Sequence, residues 1–344
     1  MNKAGSTTIQ QALNDMRHPS VAFARMEGHD HNDVFTIAYC GKLRRDLRQT
    51  TEAARADARD TIRAAYDATA KDLIVSSENL SAFRQPEAIA ALVDDARTSF
   101  DRVRVLAYLR EPIAYMTSAI QQNAKVNDLP DAPFAQVWPR YEPRFAPWID
   151  VLGAENVVLR AFDPATFAGG DLVADFAHRV GLPPEALSSV RPRNVSLSAE
   201  AVGVLLAYHR GHGPSERGPL VGRLVELLHG FGSTRLAFAR ETLDPIVARR
   251  AADVAWAEAR MGQPFPPPPS PPADAPAFPD VAALRRHGEG LAGELSAWQR
   301  AVAPRARPQG GSVADILHAV WSDLANPGLA ARILRSARFR LGLR

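Results

Sequence analysis

A glycine, a lysine and three hydroxyl side chains stand directly before a helical segment at the start of the chain, in KAGSTTIQ from Lys3 to Gln10. A glycine turn that leads into a helix collects free backbone N–H groups at the positive end of the helix dipole, which suits a phosphate or sulfate. Lys3 adds a positive charge, and the serine and threonines at positions 6 to 8 add hydroxyl donors. Alternatively, one of these hydroxyls caps a helix over Ile9 to Met16. The Walker pattern GxxxxGK(S/T) does not match, because the glycine and lysine stand in the wrong order.

An arginine follows the strongest β-type segment of the chain, in VLAYLREPIAYMTSAIQQ. Pro112 suits the first turn of the next helix, so Arg110 lies at the carboxyl end of a predicted strand, where open α/β sheets bind ligands. Ser118, two turns later in that helix, can reach the same space. Alternatively, Arg110 pairs with Glu111 or Glu142, and Ser118 serves only packing.

A second apolar strand ends on polar residues in KDLIVSSENLS, which contains Glu78. By the same reasoning, Glu78 projects from a carboxyl edge beside the crevice that Arg110 faces. A carboxylate in that position can take a proton from an acceptor hydroxyl as general base. It can equally cap the turn that follows.

Residue types that bind metals alternate in EGHDHNDVF, at His29, His31 and Asp33. Two histidines and an aspartate on one short loop are more often solvated than bound to a metal. In addition, no apolar run ends in the aspartate that holds magnesium in P-loop NTPases. We therefore predict no metal.

Short β-type segments alternate with longer helical ones, and this pattern predicts parallel strands covered by helices in an α/β fold. The predicted strands are Val21–Ala24, Leu73–Val75, Val103–Leu109 and Asn156–Phe162. The predicted helices are Thr51–Ala70, Pro86–Phe100, Ala114–Lys125, Leu172–Val180 and Glu200–Tyr208, followed by Val281–Ala301 and Val313–Leu324.

A proline-rich stretch divides the chain. Nine of the sixteen residues from 264 to 279 are proline, which predicts an extended linker. We expect a main domain over residues 1–262, a linker over 263–279 and a helical extension over 280–344.

The last segment of the chain, NPGLAARILRSARFRLGLR, carries five arginines and no acidic residue. Its apolar and basic residues alternate as in an amphipathic helix, which can lie weakly on an anionic membrane surface. Alternatively, this helix packs on the protein itself or binds a partner protein, which is the interpretation we favour.

The composition excludes several classes of protein. With 344 residues and 46% hydrophobic content, the chain can bury a sizeable core. Its formal net charge of only +3 argues against nucleic acid as a partner. A single cysteine, Cys40, excludes a disulfide framework, and no segment approaches the ~20 apolar residues that span a bilayer. We predict a soluble, cytoplasmic protein.

Taken together, the motifs resemble those of the PAPS-dependent sulfotransferases, in particular bacterial members with a KTGTTSIQ-like start. KAGSTTIQ is similar to the family's 5′-phosphosulfate loop, and Arg110 with Ser118, eight positions apart, resembles its 3′-phosphate motif. LGAENVVLRAFDPATFAGGDLVADFAHRVGL and RPRNVSLSAEA resemble the strand, helix and continuation that follow in the family. The resemblance covers about residues 2 to 262, in family order.

This resemblance implies a three-layer αβα core like that of P-loop nucleotide kinases, with a central parallel sheet. It also implies that 3′-phosphoadenosine-5′-phosphosulfate (PAPS) donates the sulfuryl group, in line and without a metal. The implied contacts to PAPS are Lys3 at the bridging and leaving oxygens, Ala4, Gly5, Ser6, Thr7 and Thr8 at the 5′-phosphate, and Arg110 and Ser118 at the 3′-phosphate.

The resemblance also suggests the catalytic base. Glu78 fills the place where cytosolic relatives carry a catalytic histidine, and other sulfotransferases use glutamate. Bacterial relatives often carry a histidine near His31, which is therefore the second candidate for the base or for a contact to the acceptor. Lys3 is expected to follow the charge that develops on the leaving phosphate.

Family members carry a short apolar strand directly before the lysine, at the centre of the sheet. Only Met1 and Asn2 precede Lys3 here, so we expect that the true start lies upstream.

The sequence predicts an enzyme that moves a sulfuryl group from PAPS to a hydroxyl or amine of a carbohydrate, lipid or small metabolite. No motif specifies the acceptor. The alternative is a catalytically silent nucleotide-binding or scaffold protein that keeps the fold. A kinase or NTPase is disfavoured by the missing Walker features.

Overall fold

The structure is a computed structural model, and it describes residues 4–26, 32–40, 51–69, 71–187, 196–211, 219–268 and 276–325. The chain forms two compact units, each assembled from three segments. The first unit comprises Met1–Pro112, Pro139–Arg193 and Arg250–Pro268, and the second comprises Ile113–Trp138, Asn194–Arg249 and Pro269–Arg344.

The described strands all belong to the first unit and form two parallel pairs. β1 (Val21–Phe23) pairs with β2 (Asp72–Ile74), and β3 (Val105–Leu109) pairs with β4 (Val157–Ala161). Each predicted strand is confirmed. The protein is thus a helix-rich α/β protein with two small parallel sheets, and one continuous central sheet stays a prediction.

Helices make up most of the regular structure. They are α1 (Ser6–Asn14), α2 (Asn32–Phe35), α3 (Glu52–Asp67), α4 (Pro86–Arg97), α5 (Pro112–Ala124), α6 (Tyr141–Leu152), α7 (Leu172–Arg179), α8 (Ala199–Gly211), α9 (Pro219–Leu228), α10 (Arg240–Arg249), α11 (Ala251–Met261), α12 (Val281–Glu289), α13 (Ala292–Val302) and α14 (Val313–Ala325). Shorter helical turns lie at Thr36–Cys40, Asn79–Ala82, Ala154–Asn156, Ala168–Gly170 and Pro184–Ala186.

The predicted helices are confirmed with small shifts of their ends, and the helical segment Val281–Ala301 is interrupted once. The segment divides into α12 and α13, and the amide of Gly290 closes α12 by bonding to the carbonyl of Arg286 at 3.1 Å. Glycines recur here, in HGEGLAG, and each lowers the tendency of the chain to stay helical.

Both strand pairs lie between the same two apolar clusters of the first unit. One cluster contains Ile74 of β2 and Leu106 of β3, together with α1 and α7. The other contains Leu73 of β2 and Val105 of β3, together with α4 and α6. Because successive strand residues point to opposite faces, β2 and β3 present their alternate side chains to the same two layers of helices.

The second unit is built around α8, which is buried along most of its length. Ser198 caps this helix, because its hydroxyl accepts the amide of Ala201 at 3.0 Å and donates to the carbonyl of Phe231 at 2.6 Å. α8 crosses α12 at two glycines. A Cβ atom on Gly288 would lie 2.1 Å from the carbonyl carbon of Gly203, so this crossing requires glycine.

The predictions for the basic C-terminal segment and for the domain boundaries are not tested by these elements. The basic segment after Ala325 lies outside the described residues, and its contact with a membrane surface or protein stays a prediction, as do the boundaries 1–262, 263–279 and 280–344. In the described part of the chain, none of the helices combines the length and the apolar character needed to cross a membrane.

Candidate functional site

The helix at the start of the chain begins at a left-handed glycine. Gly5 is the N-cap of α1 with φ 81°, and the amide of Ile9 bonds to its carbonyl at 3.1 Å. A Cβ atom here would lie 2.1 Å from Cδ2 of Leu172 and 3.2 Å from Cε2 of Phe162. Both the backbone conformation and the close packing therefore favour glycine at this position.

The hydroxyl groups at positions 6 to 8 belong to the first turn of α1. The alternative in which one of them caps a later helix is wrong, because Gly5 is the N-cap and no side chain caps α1. Ser6 and Thr8 are half-buried and Thr7 is exposed. The first N–H groups of an α-helix have no acceptor within the helix. The backbone donors of this turn therefore point beyond the amino end of α1.

Ser6 connects α1 to the residue that follows β2. Its hydroxyl donates a hydrogen bond to Oε1 of Glu78. One turn later, the side-chain amide of Gln10 donates to the carbonyl of Ser76 at 3.0 Å. The amino end of α1 is therefore held at the carboxyl end of β2, as the sequence predicted for Glu78.

The side chain of Glu78 does not cap the turn that follows it, which was the alternative interpretation. Instead, its backbone carbonyl accepts the amide of Ser81 at 3.2 Å and the hydroxyl of Ser81 at 2.8 Å. The half-buried carboxylate thus remains directed to Ser6.

Arg110 and Phe162 lie side by side at the carboxyl ends of β3 and β4. The guanidinium carbon of Arg110 lies 5.9 Å from the centroid of the Phe162 ring, within the range of a cation–π contact. The amide of Phe162 donates to the carbonyl of Leu109 at 2.7 Å, which extends the pairing by one residue. Phe162 also packs near Gly5, so its ring lies between α1 and Arg110.

A buried carboxylate connects the strands behind this site. Asp175 of α7 is 1% exposed and accepts the hydroxyl of Tyr108 at 2.7 Å, the guanidinium of Arg160 at 3.2 Å and the amide of Ala168 at 3.2 Å. Burial alone would raise the pKa of Asp175, but these hydrogen bonds outweigh burial and lower its pKa below 3.8. Burial and the bond to Asp175 together raise the pKa of Tyr108.

The structure brings together Gly5, Ser6, Glu78 and Arg110 of the predicted site, through the contacts given above. Ala4 is 2% exposed, and its side chain packs in the apolar cluster beside α1. Lys3 and His31 lie outside the described residues.

Ser118 lies in α5, within the second unit, whereas Arg110 belongs to the first. Phe162 was missed by the sequence analysis. Arg110 was identified because it directly follows an apolar strand. Phe162 directly follows β4 and could have been identified in the same way.

Among the described residues, no group of three or more histidine, cysteine, aspartate or glutamate side chains could hold a metal ion. His29 and His31 lie outside these residues.

The fold and the site define a helix-rich α/β protein in which a glycine-capped helix begins where parallel strands end. No family model, curated protein or solved structure matches the chain.

Proposed function

We propose that the protein is a PAPS-dependent sulfotransferase. The observation that carries this proposal is the hydrogen bond between Ser6, in the first turn of α1, and Glu78 at the end of β2. It puts a carboxylate next to a helix terminus whose donors suit a phosphate or sulfate. A sulfuryl transfer with base assistance needs these two groups close together.

The first turn of α1 is proposed to bind the 5′-phosphosulfate through the N–H groups of Gly5 and Ser6 and the hydroxyls of residues 6 to 8. This binding is supported by the left-handed Gly5, which leaves no Cβ atom at the close approach. Arg110 is proposed to bind the 3′-phosphate, and the contact of Ser118 with this phosphate stays a prediction. The Phe162 ring supports this role by restricting the guanidinium on one side.

The proposed reaction is a single in-line transfer. The acceptor oxygen or nitrogen attacks the sulfur, and the bond between sulfur and the bridging phosphate oxygen breaks with its electron pair on the phosphate. Glu78 accepts the acceptor's proton, and His31 is the second candidate for this role. The amino end of α1 and Lys3 stabilise the negative charge on the leaving 3′,5′-bisphosphate, PAP.

The finer fold is proposed as a three-layer αβα arrangement like that of P-loop nucleotide kinases. It is supported by the two strand pairs, which share one apolar cluster on each face. A cytoplasmic location is kept as part of the proposal, because the chain has a single cysteine.

PAP binding tests the proposal directly. PAP should raise the melting temperature equally with and without magnesium, because a ligand that binds only the folded state stabilises it and the proposed site uses no metal. Stabilisation by ATP that depends on magnesium, with none by PAP, would instead indicate an NTPase. Labelled PAPS, screened against glycans, lipids and small alcohols, then identifies the acceptor.

A catalytically silent nucleotide-binding protein is the second candidate. It is favoured by one observation: the described strands form two separate pairs and not one sheet. This candidate predicts PAP binding without transfer to any acceptor in the screen.

A further inference from the structure

The carbonyl group of Arg110 accepts a hydrogen bond from a buried tyrosine. The hydroxyl of Tyr141, the first residue of α6, donates to this carbonyl at 2.5 Å. One residue earlier, the carbonyl of Leu109 still bonds to the amide of Phe162, next to β4. The backbone carbonyl of Leu109 therefore still bonds to the neighbouring strand segment, whereas the next carbonyl, that of Arg110, bonds to a side chain.

Tyr141 is held firmly in place. It is 0% exposed, and its ring lies 5.1 Å from that of Phe265, centroid to centroid. A buried hydroxyl that loses its partner is destabilising, so the bond to Arg110 is strongly favoured.

The helix turn that carries Tyr141 is capped from a distant part of the chain. Arg140, at the N-cap of α6, has φ 53° and provides no side-chain cap. The carboxylate of Asp253, in α11, instead accepts the amides of Tyr141 at 3.1 Å and Glu142 at 2.8 Å. A carboxylate in this position satisfies two free donors and complements the helix dipole.

We propose that Tyr141 is a positioning residue for Arg110, so that the guanidinium faces the 3′-phosphate of the nucleotide. The inference rests on the proposed function, because it assigns a role in nucleotide binding to a residue outside the site. Tyr141 fixes the backbone from which the Arg110 side chain leaves, while the Phe162 ring restricts the guanidinium. Neither contact requires Tyr141 to touch the nucleotide.

The test is Tyr141→Phe, which removes only the hydroxyl group, in a double-mutant cycle with Arg110→Ala. Calorimetry should give a PAP affinity about five- to tenfold weaker for Tyr141→Phe, the effect of one hydrogen bond. In the Arg110→Ala background the same change should have no further effect, because its whole influence acts through Arg110. Deuterium exchange over residues 105–112 should become faster without any ligand.

Tyr39→Phe is the matched control. Tyr39 is 5% exposed, packs in the same apolar cluster as Tyr141 and donates its hydroxyl to Asp95 at 3.0 Å. This variant should lose comparable stability, yet leave PAP affinity and exchange over residues 105–112 unchanged. Equal PAP weakening in both variants would mean that Tyr141 acts only through overall stability, and would overturn the inference.

The two proposals fail separately. If the wild-type protein binds PAP and Tyr141→Phe binds it equally well, the positioning inference is wrong and the proposed function stands. If the wild-type protein binds no PAP, the proposed function is wrong, and the role of Tyr141 in nucleotide binding falls with it. Should Tyr141→Phe not fold, Asp253→Asn weakens the same turn and keeps the hydroxyl; unchanged PAP affinity in it would likewise overturn the inference.

Discussion

The hydroxyl of Ser6 donates a hydrogen bond to the carboxylate of Glu78 across 72 positions of sequence, and so connects the first turn of α1 to the end of β2. The bond directs the carboxylate of Glu78 toward the first turn of α1. The pair therefore places a carboxylate, a group that can accept a proton, beside a helix terminus whose free donors suit an anion.

Glu78→Gln should retain PAP affinity and lower turnover by about 10²–10⁴-fold, because the amide still accepts the Ser6 hydrogen bond but cannot take a proton. Calorimetry with PAP and transfer assays with labelled PAPS measure the two effects separately. Glu87→Gln, at an exposed glutamate of α4, is the control and should change neither. Full activity of Glu78→Gln would move the role of base to His31 or another residue.

Arg110→Ala should weaken PAP binding by about 10–100-fold, because a charged hydrogen bond to a phosphate contributes about 1.5–3 kcal/mol. Arg110→Lys should recover only part of this affinity, since lysine keeps the charge and loses the planar fork. Arg63→Ala removes a guanidinium that binds Asp95 on the surface of α3 and serves as control. Unchanged PAP affinity in Arg110→Ala would contradict the proposed site.

Gly5→Ala should destabilise the protein by about 1–2 kcal/mol from the left-handed backbone alone, and further because its Cβ atom would collide with Leu172. Urea unfolding measures the free energy. Gly181→Ala separates the two causes, because Gly181 has φ +74° but open space around its Cβ position. We expect the larger loss in Gly5→Ala; equal losses would mean that the contact with Leu172 is unimportant.

Asp175→Asn should lower the free energy of unfolding by about 3–5 kcal/mol at pH 7, because it removes the buried partner of the half-buried Arg160 guanidinium. The pKa of Asp175 is lower in the folded state, so its charge stabilises the fold above pH 3.8 and this contribution is lost as the pH falls further. Urea unfolding at pH 7 and at pH 3 should therefore give a smaller difference from wild type at pH 3. Asp150→Asn, at an exposed residue of α6, should show no such dependence.

Gly288→Ala should strongly destabilise the second unit, because the added methyl group would meet the backbone of Gly203 and not a flexible side chain. Gly293→Ala, with nothing within 4 Å of its Cβ position, is the control and should be neutral or stabilising, since alanine favours a helix by about 1 kcal/mol over glycine. Thermal unfolding compares the two. Similar melting temperatures would contradict the close crossing of α8 and α12.

Glu78 and Arg110 could be located from the sequence because each follows an apolar run, and parallel strands collect such residues at their carboxyl ends. α6 was missed because Pro143 and Pro147 argue against a helix. Its buried residues, Tyr141, Phe145, Trp148 and Leu152, nevertheless follow a helical period that could have revealed it.

The cap that Asp253 provides could not have been predicted, because no local pattern connects it to a helix 112 positions earlier. The pairing of strands was also beyond the sequence. Short strands such as β1 and β2 contain too few residues to specify which edges meet.

The long separation between Asp253 and α6 also affects the order of events during synthesis. The chain leaves the ribosome from its amino end, so α1, the strands β1 to β4 and α6 emerge before the carboxylate that caps α6. The first unit, which includes Arg250–Pro268, is complete only after most of the second unit's segments have been made. A nascent chain that stops before residue 250 would thus leave the first turn of α6, which carries Tyr141, without its carboxylate cap.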